Sequence, residues 1–512
     1  MRLSSPILTH YRQALLLIGW FVISLILLRS LLRDASFNTV LEPTPYRLDL
    51  NLWPSNTTTT NGVVERLTFD NDWKPVTAVI HQVSSNENDI RQRVHELLEY
   101  PFIQQVLIHR GDTTLTTKLT VEQLDLDPLQ QARVEILEPG SSSEPFGTFA
   151  RFMTCAMASY DVCYFQDDTW SHHAMDSLYT NMVRYPNLIH AISPPSLYLD
   201  QLRWRFSNPE ISMHAGFVDM QYGAFVPRWK CQTFLTQLGK SGFGKDQIRL
   251  ADTLFSLWTN QYPWILAGPI YGHQALNNTP TWPIPPLATM SKSIRRLQQV
   301  LEADTSDTPK DYFERVEEVP RLDERDVRAA CDNDRCLFIT SMDPLPAPTE
   351  LIYNRHDIRS MQHWEETYNE LGNSNDFFDQ HPYHFAVDKD PDTCWNTFHY
   401  PTTNDYFGLI FIGGDEQPDQ FTMYTNNKVD HPEKQFKIAV TSDGEEWIDC
   451  DTADPALWDV TTPQQVQVRL KCAKDDDDDY KEPVARALRI TFLENMKESF
   501  TVCGMDVGTL AL

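Results

Sequence analysis

Short apolar runs separated by amphipathic stretches fill residues 73–268 of this 512-residue chain. An uninterrupted apolar run is typical of a strand that is buried on both faces of a parallel sheet. Residues 89–98 instead repeat their apolar side chains at helical spacing. Because this helix falls between two such runs, the pattern predicts a βαβ unit and an α/β domain. Three runs have the length of buried strands: residues 76–81 (VTAVIH), 103–109 (IQQVLIH) and 161–165 (DVCYF).

The run at residues 161–165 ends beside two acids, Asp167 and Asp168, and a helix-like pattern follows over residues 171–183. Open α/β sheets bind their ligands where a strand ends and turns into a helix. Two carboxylates at such a point suit a hard divalent cation that carries a phosphate group. The alternative is that Asp168 only caps the helix and Asp167 is solvated, and this stretch alone favours neither interpretation.

Two later stretches contain further candidate site residues. Gly223 lies in the aromatic-rich residues 214–228, and a glycine in an apolar run marks either a close approach of a ligand or a bulged strand. Residues 246–258 predict an amphipathic helix with Asp252 beside its apolar face. Such an acid is either a satisfied hydrogen-bonding group or a tuned catalytic carboxylate. The histidines at residues 172–173 point in different directions on a helix, which favours exposed positions over a metal site.

The pattern changes in the last third of the chain. Short segments there alternate apolar and polar residues, turns separate them, and no helix of length interrupts them. This predicts an antiparallel β-sandwich over residues 351–512. Residues 307–350 are charged and proline-rich, and we interpret them as a linker behind an α/β domain at residues 73–306. The alternating segments are residues 405–412, 435–440, 466–470 and 487–493.

The N-terminal region contains one long apolar segment, residues 14–32, in which residues 14–28 carry no charge. Its length is at the short end for a bilayer span and suits a thin early-secretory membrane. A cleaved signal peptide is the alternative, but the RSLLRDASF sequence that follows has no small-residue cleavage motif. We therefore predict a signal-anchor helix between a cytosolic tail (residues 1–13) and a flexible lumenal stem (residues 33–72).

Glycosylation sequons and cysteines indicate the compartment. Asn56 and Asn277 begin Asn-x-Thr sequons, which are used only in the secretory lumen. The nine cysteines are compatible with a few disulfides and leave at least one thiol over. These features predict a single-pass type II protein of the Golgi or endoplasmic reticulum membrane, with most of the chain lumenal. Two pairings suit the spacing: Cys331 with Cys336, and Cys450 with Cys472.

Charge excludes two classes of partner. The net charge of -28 and a pI near 4.8 argue against nucleic-acid binding, which needs basic surfaces. The same charge argues against peripheral binding to anionic lipid. The five aspartates at residues 475–479 account for part of the excess and predict a solvated loop.

Four short stretches form a pattern across the α/β region: Ala150-Arg151-Phe152, Gln166-Asp167-Asp168-Thr169, Gly223-Ala224-Phe225 and Ala251-Asp252-Thr253. They resemble motifs of GT-A (Rossmann-like) glycosyltransferases, above all the exostosin-like transferases of family 64 and their fungal relatives. The resemblance covers residues 73–268. Thr169 stands where the family's metal motif has a third acid, and Ala251 stands where an acidic pair normally begins.

The resemblance implies a role for each candidate. Asp168, together with Asp167, would hold Mn²⁺ or Mg²⁺, and a donor diphosphate would complete the metal's shell. Arg151, Asp167 and Gly223 would contact the nucleotide-sugar donor, although a structural salt bridge is an equal alternative for Arg151. Asp252 would be the catalytic acid that faces the acceptor. It would act as general base in an inverting reaction or stabilise positive charge on the sugar in a retaining one.

The C-terminal region contains a second set of motifs: Ala386-Val387-Asp388, Asp392-Thr393-Cys394-Trp395-Asn396 and Asp405-Tyr406-Phe407. These resemble discoidin or coagulation-factor type C domains, which have a galactose-binding-like jelly-roll fold. The resemblance implies glycan or acceptor binding, or a fused structural module. In that pattern Trp395 is a packing residue.

These observations lead to one hypothesis and two alternatives. The hypothesis is a membrane-anchored hexosyl- or N-acetylhexosaminyl-transferase that moves a sugar from a nucleotide-sugar donor to a glycan acceptor. The first alternative is a catalytically inactive GT-A protein that binds glycans in the manner of a lectin. A hydrolase that uses Asp167 and Asp168 is less favoured, because hydrolytic carboxylates flank the substrate and adjacent residues rarely do so. The identities of donor, acceptor and linkage do not follow from the sequence.

Overall fold

The N-terminal predictions lie outside the part of the chain that the structure describes. These are the cytosolic tail, the signal anchor, the stem and Asn56, and the same holds for Asn277 and the aspartate run. No helix among the described residues is long and apolar enough to cross a bilayer. The computed structural model describes residues 74–84, 86–110, 119–137, 147–198, 204–241, 248, 250–272, 287–302, 327–342, 380–412, 418–442, 444, 446–462, 464–472 and 485–508.

The predicted α/β region is confirmed as a mixed α/β structure around one large sheet. Its strands are β1 (Val76–Gln82), β2 (Ile103–Arg110), β3 (Val134–Leu137), β4 (Val162–Asp167), β5 (Trp170–Ser171), β6 (His190–Ser193), β7 (Arg205–Asn208), β8 (Met213–Gly216), β9 (Ala224–Pro227), β10 (Trp264–Ala267), β11 (Tyr271–Gly272), β12 (Val327–Ala330) and β13 (Cys336–Thr340). Its helices are α1 (Glu87–Leu98), α2 (Pro128–Gln131), α3 (Phe149–Ala156), α4 (Met175–Arg184), α5 (Arg228–Ser241), α6 (Ala251–Trp258) and α7 (Leu287–Glu302). Short 3₁₀ turns lie at Val121–Leu124 and Pro209–Ile211.

The apolar pattern explains why β1 lies in the middle of the sheet. All seven of its residues are buried, and it pairs in parallel with both β2 and β4. Helix α1 covers the sheet with the face predicted from its spacing, which includes Ile90, Val94 and Leu97. The Asn86 side chain accepts a hydrogen bond from the Asn88 N–H and so begins the helix.

The strand order creates a switch point between β1 and β4. In this part the order is β3-β2-β1-β4-β9-β6-β10. The chain runs outward from β1 through β2 to β3 and then returns to place β4 on the other side of β1. In an open sheet, a crevice forms at the carboxyl ends of strands where the order reverses in this way. Strand β9 is antiparallel to β4 and β6, so the loop before β9 meets the same edge.

The prediction of a helix over residues 171–183 is wrong at its start. Trp170 and Ser171 form strand β5, which pairs with β11 from a remote part of the chain, and helix α4 begins only at Met175. His172 therefore lies before the helix and is buried, whereas an exposed helix position was predicted. His173 is exposed as predicted. The long-range pairing with β11 decides this local structure, and a local pattern does not reveal it.

Part of the predicted linker belongs to the sheet. Strand β12 pairs in parallel with β10, and β13 pairs in antiparallel with both β12 and a strand of the C-terminal region. The hairpin therefore joins the two regions into one 13-stranded sheet. Four of the five residues of β13 are buried. Its apolar run is short and is flanked by charged and proline-rich sequence, which explains why residues 327–340 were interpreted as linker.

The C-terminal region has the predicted antiparallel strands, and all described residues of both regions fall in one compact unit. The elements are β14 (Trp395–Asn396), β15 (Tyr406–Phe411), β16 (Gln420–Tyr424), α8 (Pro432–Gln435), β17 (Phe436–Thr441), β18 (Ile448–Asp449), β19 (Trp458–Thr462), β20 (Gln465–Arg469), β21 (Ala487–Phe492), β22 (Thr501–Val502), β23 (Gly504–Gly508) and 3₁₀ turns at Tyr383–Ala386 and Pro455–Leu457. Strands β18-β17-β21-β15 extend the large sheet, β19-β20-β16-β23 form a second sheet, and β14 pairs with β22 in a short ribbon. Alternate residues of β16 and β20 are buried in a core shared with β17 and β21.

Disulfides and one tryptophan fix this arrangement. Both proposed cysteine pairs, Cys331–Cys336 and Cys450–Cys472, are confirmed as disulfides. The Cys155–Cys163 and Cys394–Cys503 pairs were not predicted. The ninth cysteine, Cys231, is a buried free thiol, as the odd count required. Trp395 is 2% exposed and packs against Phe338 at 5.0 Å between ring centroids, which confirms its prediction as a packing residue.

Replacing Asp334 with alanine is expected to destabilise the protein by about 2–3 kcal/mol. This buried residue of the β12–β13 turn accepts hydrogen bonds from the Asp176 N–H (2.7 Å) and the Ser177 N–H (3.1 Å) at the start of α4. Its removal leaves buried donors without their acceptor. Urea unfolding measures the loss. Asp334→Asn, which keeps one acceptor oxygen, should lose less, and the exposed Asp459→Ala should lose almost nothing; equal stability of all three variants would contradict this capping role.

Candidate active site

Strand β4 brings Asp167 and Asp168 to the switch point. Asp167 is its last residue and lies opposite His81 of β1 in the parallel register. The Asp168 N–H donates to the His81 carbonyl at 3.2 Å, which continues the pairing one residue further. Asp167 is 6% exposed and Asp168 is 1% exposed, so both acids are buried. The solvated position considered for Asp167 is therefore wrong.

Asp168 does not cap the following helix. Its Oδ1 accepts hydrogen bonds from the Val83 N–H (2.9 Å) and the Ser84 N–H (3.1 Å), and its Oδ2 accepts from the Ser84 N–H at 3.2 Å. These donors lie in the loop after β1, so Asp168 ties that loop to the end of β4. Burial raises the pKa of Asp168 to about 6, although the two backbone donors oppose this rise.

Arg151 connects Asp167 with Asp252. Its Nη2 donates to Asp167 Oδ1 at 2.9 Å, and its Nε lies 3.4 Å from Asp252 Oδ1. The Arg151 side chain on α3 is 1% exposed, whereas Asp252 in the first turn of α6 retains 14% exposure. The tertiary structure thus gathers three predicted site residues that are far apart in sequence. Asp252 is slightly more exposed than Asp167, whose side chain is 8% exposed.

Several buried acids share one cation, and their protonation is coupled. Burial raises the pKa of Asp252 to about 6, Arg151 opposes this rise, and Asp167 adds to it. Burial and the neighbouring Asp252 raise the pKa of Asp219 well above its usual range. Burial alone lowers the pKa of Arg151, but Asp252 and Asp167 more than reverse this and keep it charged. Raised carboxyl pKa values in a cleft are typical of acids with a catalytic or binding role.

Two residues of this cluster, His81 and Asp219, were not predicted from the sequence. His81 Nδ1 lies 3.6 Å from Asp167 Oδ1. Asp219 lies in the loop before β9, where it accepts hydrogen bonds from the backbone and side chain of Gln221. The sequence contains one indication of each: His81 ends the apolar run at residues 76–81, and Asp219 is the only acid in the aromatic-rich residues 214–228.

Gly223 lies at this edge, but its own protein neighbours occupy the space beside it. It has a φ of +142°, which favours glycine. A Cβ there would approach His172 Nε2 to 2.5 Å and the Tyr164 hydroxyl to 2.6 Å. Those two groups form a buried hydrogen bond of 2.7 Å. The glycine thus has a packing requirement of its own, and a contact between Gly223 and a nucleotide donor stays a prediction.

Asp167 and Asp168, the two predicted metal ligands, could hold a divalent cation only if a bound molecule supplies further oxygen ligands. No group of three or more His, Cys, Asp or Glu side chains suited to a metal occurs among the described residues. Asp167 Oδ1 already faces Arg151, which disfavours a second cation at that oxygen. Asp168 uses three of its acceptor positions on backbone N–H groups, and a carboxylate offers about four. This donor set suits Mg²⁺ or Mn²⁺ when substrate phosphates supply most of the shell.

Comparisons with known proteins gave structural matches only. No protein-family model and no curated protein sequence matches the chain. One matched structure is the mannosyltransferase PcManGT from Pyrobaculum calidifontis in complex with GDP-Man and Mn²⁺. It is 14% identical, and the match covers 39% of this chain and 56% of that one at a TM-score of 0.26.

Other matched structures are carbohydrate-binding modules from Clostridium perfringens. A CBM32 module of a GH89 protein, in complex with GalNAc-β-1,3-galactose, is 16% identical over 25% of this chain and 83% of that one, with a TM-score of 0.19. The family 32 module of NanJ, in complex with galactose, is 11% identical over 25% of this chain and 85% of that one, with a TM-score of 0.16. At these identities and TM-scores, the matches by themselves assign neither a fold nor an activity to this chain.

Proposed function

We propose that this protein is a glycosyltransferase that moves a sugar from a nucleotide-sugar donor to a glycan acceptor. The single observation that carries the proposal is the cluster of Arg151, Asp167, Asp168 and Asp252 at the β1–β4 switch point. It unites three of the four stretches that resemble GT-A transferases at the place where an open α/β sheet binds ligands.

The charges of the cluster suit the transfer of a sugar from a diphosphate leaving group. Arg151 is a buried cation whose two carboxylate partners are both tied to it. A diphosphate that arrives at this edge would compete for the guanidinium, whose planar fork of N–H donors binds phosphate oxygens in pairs. Asp252 would then be released toward the acceptor, either to take its proton or to stabilise positive charge on the sugar. The stereochemical outcome is left open.

The proposed cofactor is Mn²⁺ or Mg²⁺, held by Asp168 with the help of Asp167. When bound, it would neutralise the charge that develops on the departing diphosphate. The chain's own contribution is the position of Asp168, which the N–H groups of Val83 and Ser84 fix at the end of β4. The type II orientation, the Golgi or endoplasmic reticulum membrane and the single anchor helix also remain part of this proposal.

A second candidate function is glycan binding without catalysis. The specific observation in its favour is that Asp167 and Asp252 both already neutralise Arg151, while backbone donors hold Asp168. A cluster that is satisfied in this way can be purely structural. The C-terminal sandwich would then carry the binding function. Nucleotide binding separates the two candidates, because only the transferase needs a donor site.

Asp168→Asn is expected to remove nucleotide-sugar binding and transfer while the protein stays folded. The change keeps one acceptor oxygen for the Val83 and Ser84 donors but removes the charge that a metal–diphosphate needs. Calorimetry of the full chain, purified in detergent, would test UDP- and GDP-sugars with and without Mn²⁺. Asp161→Asn is the matched control, since its side chain is 72% exposed at the other end of β4. The absence of nucleotide binding in the unaltered protein would contradict the transferase and leave the glycan-binding candidate.

A further inference from the structure

A second cleft lies along the same edge of the sheet, between the α/β region and the sandwich. The cleft is open to solvent and encloses only about 30 Å³. The walls come from the carboxyl ends of β6, β10 and β12, which run parallel and therefore end at the edge that holds Asp168. Ile192, Gly268 and Asp332 line it from these strand ends. The sandwich contributes His384 and Asp388 to the lining.

The cleft adjoins the candidate active site through the β5–β11 ribbon. Ser171 follows Asp168 by three residues and lies opposite Tyr271 in the antiparallel register. At about 3.3 Å per residue and about 5 Å between strands, Tyr271 lies within roughly 15 Å of Asp168. A short oligosaccharide that lies across the cleft can therefore extend toward Asp168.

The lining has the chemistry of a carbohydrate site. Tyr271 is 42% exposed, and its ring lies 4.9 Å from that of His173, so an aromatic surface faces the cleft. An aromatic ring packs against the C–H face of a sugar, and polar groups around it bind the hydroxyls. Asp332 and Asp388 supply such groups, since both line the cleft. Burial lowers the pKa of His384, which also lines the cleft, to about 4 and keeps its ring neutral.

The charges of the lining select against acidic sugars. Asp332 and Asp388 both face the cleft, and none of its lining residues in the described part of the chain is Lys or Arg. Like charges placed together across an interface disfavour binding. A uronate or sulfate group would therefore meet repulsion here, whereas a neutral sugar would find carboxylate acceptors for its hydroxyl groups. The net charge of -28 of the whole chain also repels acidic sugars at long range.

The cleft is held in shape from both sides. The Asp332 N–H donates to the Val387 carbonyl at 3.2 Å, which ties the β12–β13 turn to the sandwich. The same turn is closed by the Cys331–Cys336 disulfide, and its Asp334 caps α4. Thr393 donates to Asp388 Oδ2 at 2.7 Å and fixes that carboxylate. A pre-formed cleft loses less conformational entropy when it binds an oligosaccharide.

From this geometry we infer that the interdomain cleft is the acceptor subsite, and that it takes an uncharged oligosaccharide which stacks on Tyr271. The identification of the bound glycan as the acceptor rests on the proposed transferase activity. The binding of a neutral glycan in this cleft stands without that activity.

The test measures binding of the full chain to an array that holds neutral galactosides, mannosides and glucosides beside uronate-containing oligosaccharides. We expect binding to a neutral class, and Tyr271→Ala should weaken it about tenfold. Tyr400→Ala is the matched control, because Tyr400 lies on the sandwich outside the cleft and is 62% exposed. Asp332→Asn should relax the selection against uronates. Preferential binding of uronates, or equal binding by the protein and Tyr271→Ala, would overturn the inference.

Nucleotide binding by Tyr271→Ala distinguishes this inference from the proposed function. We expect the variant to bind nucleotide as the unaltered protein does, since Tyr271 lies outside the Asp168 cluster. If the unaltered protein binds a neutral glycan through Tyr271 but no nucleotide, the transferase fails and the glycan site stands. If the unaltered protein binds nucleotide but its glycan binding does not depend on Tyr271, the acceptor-subsite inference is wrong and the transferase proposal stands.

Discussion

Arg151→Met is expected to destabilise the protein by about 3–5 kcal/mol, the largest loss expected for any single change in the site. The guanidinium is 1% exposed and is the cation shared by Asp167 and Asp252. Methionine fills a similar volume but leaves two buried carboxylates without a counter-charge. Chemical denaturation of the full chain, followed by circular dichroism, measures the loss.

The pH dependence identifies the cause of that loss. Without Arg151, the folded-state pKa of Asp252 should rise further, because Arg151 opposes its rise in the unaltered protein. A carboxyl group with a raised folded-state pKa contributes less stability as the pH rises through that value. The deficit of Arg151→Met should therefore be greater at pH 7.5 than at pH 5, and adding Asp252→Asn should restore part of it. As a control, Lys428→Met breaks a pair with Asp430 that is mostly exposed and should cost less than about 1 kcal/mol. A loss that does not vary with pH would show that packing, and not charge, is responsible.

Asp252→Asn is expected to lower the transfer rate by about 10²- to 10⁴-fold, the range for removal of an acid–base group. Asp252 must be ionised to act, and its pKa is raised to about 6. Activity of the unaltered protein should therefore fall as the pH drops through about 6. Because Asp168 has a similar pKa and both acids interact with Asp167, the observed value belongs to the group of acids.

As the pH falls, the contribution of Asp252 to folding stability should rise, whereas the activity should fall. The folded state holds a proton on Asp252 between its usual pKa of 3.8 and the raised value of about 6, whereas the unfolded state has lost it. Stability from this group is present below pH 3.8 and is lost as the pH rises through 6. Relative to the unaltered protein, Asp252→Asn should thus gain about 1–3 kcal/mol between pH 4 and 7. Unchanged transfer by a folded Asp252→Asn variant would remove this residue from the mechanism, and Asp449→Asn, an exposed acid, provides the comparison.

Periodicity explains which elements the sequence could predict. Strands β1 and β4 are mostly apolar runs because they are buried on both faces, and β16 and β20 alternate because one face meets the sandwich core. Cys331 and Cys336 are close in sequence, and their spacing suits a small disulfide-closed loop. The Cys394–Cys503 pair spans 109 residues, and no local pattern reveals it.

The sequence by itself determined that Asp167 and Asp168 end a buried strand of an α/β domain, because burial and strand period are local properties of the chain. Only the tertiary structure decided what surrounds them. Asp168 accepts hydrogen bonds from the loop after β1 and does not cap a helix, and Arg151 joins Asp167 to Asp252. The β12–β13 hairpin likewise places sandwich residues beside the same edge. Each of these contacts depends on which strands become neighbours, and that choice minimises the free energy of the whole chain rather than of any one segment.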